Sequence, residues 1–218
     1  MLDFAEVCRV VAAVLCLLLA ATLLRDHPKD RTAQASVFLL ITVIAHLAFP
    51  PLLRADASVA LTHAVLLVGL SVPFAFWLLA QVHFDDEFRL APVHSSLLAA
   101  TVGVGYVSWL IVVEHRATGG WLGPAHSDLW IVTPKLLAVA IMVHAMIRVY
   151  VGAGSDLLLP RLRLRYGLLV IAGTYILLEL LGELLLRDSA SAAAADKLHS
   201  VVVLAIVFGA SFLALRTS

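Results

Sequence analysis

Glu179 and Glu183 stand four residues apart in a run of leucines, and Tyr175 precedes Glu179 by the same interval. Residues four apart share one face of a helix, so the three form a single polar stripe. His46, His63, Lys135 and His199 are four further polar groups set in apolar runs. In hydrocarbon, a lone charge costs at least ~2.5 kcal/mol even on the lenient insertion scale, so each of these groups needs a partner or a task. Lys135 is the natural counter-ion for Glu183 or Glu179. Three histidines and a glutamate are also the donor set of a hydrolytic zinc site. They fall singly on separate segments, however, with no HxxxH or HExxH spacing, so the sequence supplies no metal geometry and neither a metal nor a cofactor is assigned. Taken singly, each histidine reads as packing glue between helices, worth ~0.6–2 kcal/mol. Taken together, the set reads as a polar pocket for a ligand.

The elements that must hold these residues are membrane spans. Of the 218 residues, 62% are hydrophobic and 14% charged, and the mean hydropathy is +1.01. Apolar runs long enough to cross ~30 Å of hydrocarbon recur along the chain. The fold class expected is an all-α bundle of seven transmembrane helices in one domain over 1–218, with spans near 4–24, 36–53, 59–82, 95–113, 129–150, 164–186 and 197–215. Asp3 and Glu6 are acidic where a cleavable signal is basic, so the first run is read as a span. Pro50-Pro51 closes the second span, and Pro134 lies in the first turns of the fifth, where a missing N–H costs little. Cys8 and Cys16 share one span without CxxC spacing and read as buried or lipid-facing thiols. The formal net charge is zero, which removes any general field directed at nucleic acid.

Basic residues set the orientation. Arg25, Lys29, Arg31, Arg89, Arg148, Arg161, Arg163, Arg165 and Arg216 flank one side, while Arg9, Arg54, Arg116, Arg187 and Lys197 are spread thinly on the other. The positive-inside rule puts the N-terminus outside and the C-terminus in the cytoplasm of a bacterial inner-membrane protein. Trp109, Trp121 and Trp130 then gather at the outer interface. His46, His63, Lys135, Tyr175, Glu179, Glu183 and His199 converge in the outer half of the bundle. At the cytoplasmic side, an aromatic helix stops at Asp85-Asp86-Glu87, and His144 and Arg148 are spaced i, i+4 on the fifth span. Salt bridges from Arg148, Arg161, Arg163 or Arg165 to this acidic triplet are expected, each worth little if exposed. Gly69, Gly103 and Gly105 suggest close helix contacts, but they do not form GxxxG, so a homodimer is left open.

Pro73-Phe74-Ala75-Phe76-Trp77-Leu78-Leu79-Ala80, followed by Phe84-Asp85-Asp86-Glu87-Phe88 and His94, resembles the membrane-embedded N-terminal domain of certain AraC-type bacterial transcription regulators. Asp156, the run Arg161-Leu-Arg163-Leu-Arg165, Tyr175 and Glu179 are similar to a second signature of that group. The resemblance implies a seven-helix sensor joined to a cytoplasmic helix-turn-helix domain. No such domain precedes Arg216-Thr217-Ser218, so the sequence reads as the membrane part of a longer regulator or as a stand-alone relative.

The expected function is a non-enzymatic input domain that takes a small hydrophobic or amphipathic ligand among membrane lipids and signals to that partner domain. This chain is not expected to touch nucleic acid itself. The alternative is a metal-dependent intramembrane hydrolase using the His/Glu cluster. A carrier is disfavoured, because spans 1–3 do not echo spans 5–7 and mid-span helix breaks are few. A retinal protein would need a mid-span lysine, and Lys197 and Lys135 both lie near span ends.

Overall fold

The computed structural model describes residues 3–55, 57–85, 87–118, 124–153, 167, 170, 171, 175 and 197–208. The elements are all helical: α1 (Phe4–Asp26), α2 (Arg31–Arg54), α3 (Val59–Gly69), α4 (Val72–Phe84), α5 (Pro92–Thr118) and α6 (Pro124–Ala153), with a further apolar helix at Lys197–Phe208. Among the described residues, five helical stretches are long and apolar enough to cross a membrane: Phe4–Asp26, Arg31–Arg54, Val59–Phe84, Pro92–Val113 and Leu129–Val151.

Local sequence explains where these helices start. Asp3 accepts from Phe4 N–H, and Glu6 reaches back to the Asp3 N–H in a capping box. Asp30 accepts from the N–H groups of Thr32 and Ala33, and Ser58 accepts from Leu61 N–H, satisfying donors that a helix start leaves over. Pro92 and Pro124 open α5 and α6, where a proline gives up nothing.

Three boundaries differ from the sequence reading. The helix α2 runs through Pro50-Pro51 to Arg54 instead of closing there. Both prolines lie within one turn of its end, so the bonds they forfeit, to the carbonyls of His46 and Leu47, are few. Pro134 is interior to α6, because that helix begins at Pro124, well before the apolar run. The third apolar run is broken in two: α3 ends at Gly69 and α4 begins at Val72. Pro73 has no N–H to give the Gly69 carbonyl, and the Ser71 N–H turns back to Val68 C=O at 3.1 Å.

Within the bundle, α2 packs against α1, α3 and α4, while α6 packs against α4 and α5. One core joins Phe74, Phe76, Trp77 and Ala80 of α4 to Ile141, Met142, Ala145 and Val149 of α6. A second joins Ala12 and Cys16 of α1, Leu47 of α2, and Val203 and Val207 of the helix Lys197–Phe208, with Tyr175 against both cores. Cys8 and Cys16 are buried free thiols. Leu17, Leu18, Val59 and Val151 are among the large apolar side chains left outward, a surface suited to lipid.

Candidate functional site

Two groups of polar and aromatic side chains stand out in the described spans. The first contains three of the histidines singled out above. The His46 ring lies 5.7 Å from that of His199, and the Tyr175 ring lies 5.8 Å from His199 on its other flank. Beside them, His63 Nδ1 and the Tyr106 hydroxyl share a hydrogen bond of 2.8 Å. Trp109 stands edge-on to His63 at 5.2 Å and to Phe49 at 6.1 Å. Gly69 permits the backbone approach that seats α2 here: a Cβ at Gly69 would lie 3.1 Å from both Cα and N of His46.

The structure thus brings His46, His199 and Tyr175 together and gives His63 a separate partner in Tyr106. Lys135 lies on an exposed face of α6. Glu179 and Glu183, with Gly182, lie outside the described residues, so the Lys135–carboxylate pairing concerns residues the structure does not describe. Among the described residues, no three His, Cys, Asp or Glu side chains are grouped closely enough to hold a metal ion.

The second group surrounds the end of α4. Trp77 is buried, and its indole N–H donates to His144 Nδ1 of α6 at 3.0 Å. Phe88 and His94 close on the same indole, with ring centroids 5.9 and 5.3 Å away, and Phe74 packs against it at 5.6 Å. One turn beyond His144, the Arg148 guanidinium pairs with Asp85 at 3.0 Å. The other Asp85 oxygen accepts the Glu87 N–H at 3.1 Å. In this way the chain leaving α4 is fastened to α6 by an ion pair and an indole–imidazole bond. Asp86, Asp156, Arg161, Arg163 and Arg165 lie outside the described residues, as does Trp121.

A cavity of about 1190 Å³ opens beside this fastening, between the start of α2, the end of α4 and the segment 87–90. It lies at the acidic end, away from the His46–His199 group where the sequence reading put the ligand.

Several participants carried no role in the sequence. Tyr106 carries no local signal, His94 stands out only within its motif, and Trp109 fits an interfacial anchor. Their partners are 43 or more residues distant in the His63–Tyr106 and Trp77–His144 bonds, and no local spacing signals them. Arg9, read as an outer flank residue, is buried inside the bundle with 4% of its surface exposed. An arginine among apolar residues is the signal that could have found it.

No family model, no curated protein and no solved structure matches this chain. The likeness to AraC-type input domains therefore rests on the motifs quoted above.

Proposed function

We propose that the chain is a non-enzymatic, membrane-embedded input domain, with seven spans in a bacterial inner membrane, the N-terminus outside and the C-terminus in the cytoplasm. Its ligand, a small hydrophobic or amphipathic molecule, is taken among His46, His63, Tyr175 and His199, with Lys135, Glu179 and Glu183 completing the pocket. Its output passes to a cytoplasmic helix-turn-helix domain joined after the last span.

The observation that carries this reading is the position of His199. Its ring touches His46 and Tyr175 at the start of the helix Lys197–Phe208, and Val203 and Val207 of the same helix are buried against α1 and α2. A ligand that parts His46 from His199 would therefore reposition the helix leading to the output domain. Packed interfaces of this kind shift between discrete arrangements instead of deforming smoothly. The fastening of Asp85 and Trp77 to α6 supplies a rigid frame against which that helix can move.

The test is the side of the membrane reached after Ser218. A fluorescent protein fused there is expected to be active and an alkaline phosphatase inactive. Phosphatase activity would remove the cytoplasmic output and the regulator reading with it. With the orientation established, His199→Ala in a chain carrying a DNA-binding reporter domain is expected to fix the reporter in one state. An unchanged reporter response would remove His199 from the signalling route.

A further inference from the structure

Several charges that line the cavity at the acidic end have no partner among the described residues. Asp85 has one oxygen on Arg148 and the other on the Glu87 N–H. Asp30, next to Arg31, is committed to capping α2. Arg31, Glu87 and Arg89 are exposed at the rim, and among the described residues none of the three side chains has an ion-pair or hydrogen-bond partner. Beside the paired Asp85, two cations and one anion therefore face the same space.

The walls change character with depth. On α2, Arg31, Ala35 and Phe38 line the cavity at helical spacing; on α4, Asp85, Val82 and Leu78 do the same in the opposite chain direction. Side chains three and four apart stack along one helix face. Both walls therefore grade from charged at the rim to apolar towards the middle of the bundle. That gradient matches an amphiphile with a headgroup at the rim and a hydrocarbon chain along Phe38, Leu78 and Val82.

We propose that this cavity binds a phospholipid whose headgroup joins a phosphate to a primary ammonium, the chemistry of phosphatidylethanolamine, with the phosphate on Arg31 and Arg89 and the ammonium on Glu87. Guanidinium groups are the preferred side-chain partners of phosphate oxygens. A primary ammonium offers three N–H donors to a carboxylate, whereas a choline headgroup offers none. A glycerol headgroup would leave Glu87 without a cation and set it near a second negative charge. A free, soluble headgroup would leave the apolar depth of the cavity uncovered. The assignment is independent of the input-domain reading.

The experiment uses the full chain, delipidated in mild detergent and offered equal amounts of phosphatidylethanolamine, phosphatidylcholine and phosphatidylglycerol. Retained lipid is counted by native mass spectrometry. The ethanolamine lipid is expected to be retained about tenfold over the other two, the scale of one charge-assisted hydrogen bond. Glu87→Gln is expected to abolish its advantage over the choline lipid, and Arg31→Gln with Arg89→Gln to lower retention of all three. Arg25→Gln, in an exposed pair with Asp26 outside the cavity, is expected to change nothing. Soluble glycerophosphoethanolamine in equal concentration is expected not to displace the lipid. Equal retention of the three lipids by the wild type would overturn the assignment without recourse to any variant. Displacement by the soluble headgroup would overturn the lipid as occupant, and retention unaffected by the Arg or Glu substitutions would overturn the cavity as the site.

Discussion

Trp77, buried in α4, donates its indole N–H to Nδ1 of the exposed His144 at 3.0 Å, bridging α4 and α6. The bond fixes more than two side chains. It requires the lone pair on Nδ1, so the His144 proton sits on Nε2 in this geometry. It also holds Trp77 where Phe88 and His94 pack on the indole, which sets the path of the chain from α4 into α5.

Trp77→Phe keeps most of the ring but removes the donor and leaves His144 Nδ1 without its indole partner. The expected cost is about 0.5–1.5 kcal/mol, the net value of one hydrogen bond, because His144 is exposed and water can take the place of the lost donor. The double variant Trp77→Phe, His144→Leu removes both halves and is expected to recover part of that loss. Thermal unfolding in detergent reads both effects. A double variant no better than the sum of the singles would show that the bond contributes no coupling.

The Asp85–Arg148 pair is expected to contribute less. The two side chains are 33% and 57% exposed, so the coupling belongs in the surface range of about 0.2–1 kcal/mol and should weaken with added salt. Its larger effect is positional. Arg148→Ala is expected to raise hydrogen exchange in segment 87–91, since the Asp85 carboxylate that also holds the Glu87 N–H loses its cation. Exchange there equal to the wild type would make the ion pair incidental.

Some of this arrangement was legible in the residues and some was not, for a physical reason. Caps and helix starts are local: Asp3 with Glu6, Asp30, Pro92 and Pro124 declare themselves within one turn. An attraction between Arg148 and the acidic triplet was legible too, because both flank spans on the same expected side. Which aromatic meets which histidine was not. These helices are apolar nearly all round, so no stripe says which face turns inward, and the partner of Trp77 depends on how α4 and α6 are rotated. The break at Leu70-Ser71 escaped for a related reason. A proline near a span's centre marks a helix start only if its neighbours accept the interruption, and here Gly69 does so against α2.

The His63–Tyr106 bond links α3 to α5, and Trp109 shields it on one edge. Tyr106→Phe retains the ring and removes only the hydroxyl. A loss of about 0.5–1.5 kcal/mol is expected, the net value of one intramolecular hydrogen bond. If the pair lies in a ligand pocket, the loss should grow in lipid extracts that carry the ligand, because bound ligand stabilises the folded state by mass action and the variant binds it more weakly. The melting temperature of the variant with and without extract is the measurement. No difference from the wild type in either condition would leave His63 as a packing residue.

The last prediction contrasts two glycines that look alike in sequence. A Cβ at Gly69 would come within 3.1 Å of His46 Cα and N, which are backbone atoms and do not rotate away. At Gly103 of α5, a Cβ would meet none of the described residues within 4 Å. Alanine at Gly103 should therefore be neutral or raise stability by up to about 1 kcal/mol, through the helix preference of alanine over glycine. Alanine at Gly69 gains the same preference but must push α2 from α3, and valine must push further. Overpacking of this kind costs about 1–3 kcal/mol. The displaced backbone is that of His46, so the shift should also move its ring relative to His199. Gly69→Ala is thus expected to melt below the wild type and Gly69→Val lower still, with Gly103→Ala at or above it. Equal melting of Gly69→Ala and Gly103→Ala would mean that the α2–α3 crossing is not held close by glycine, and that His46 is seated by something other than this contact.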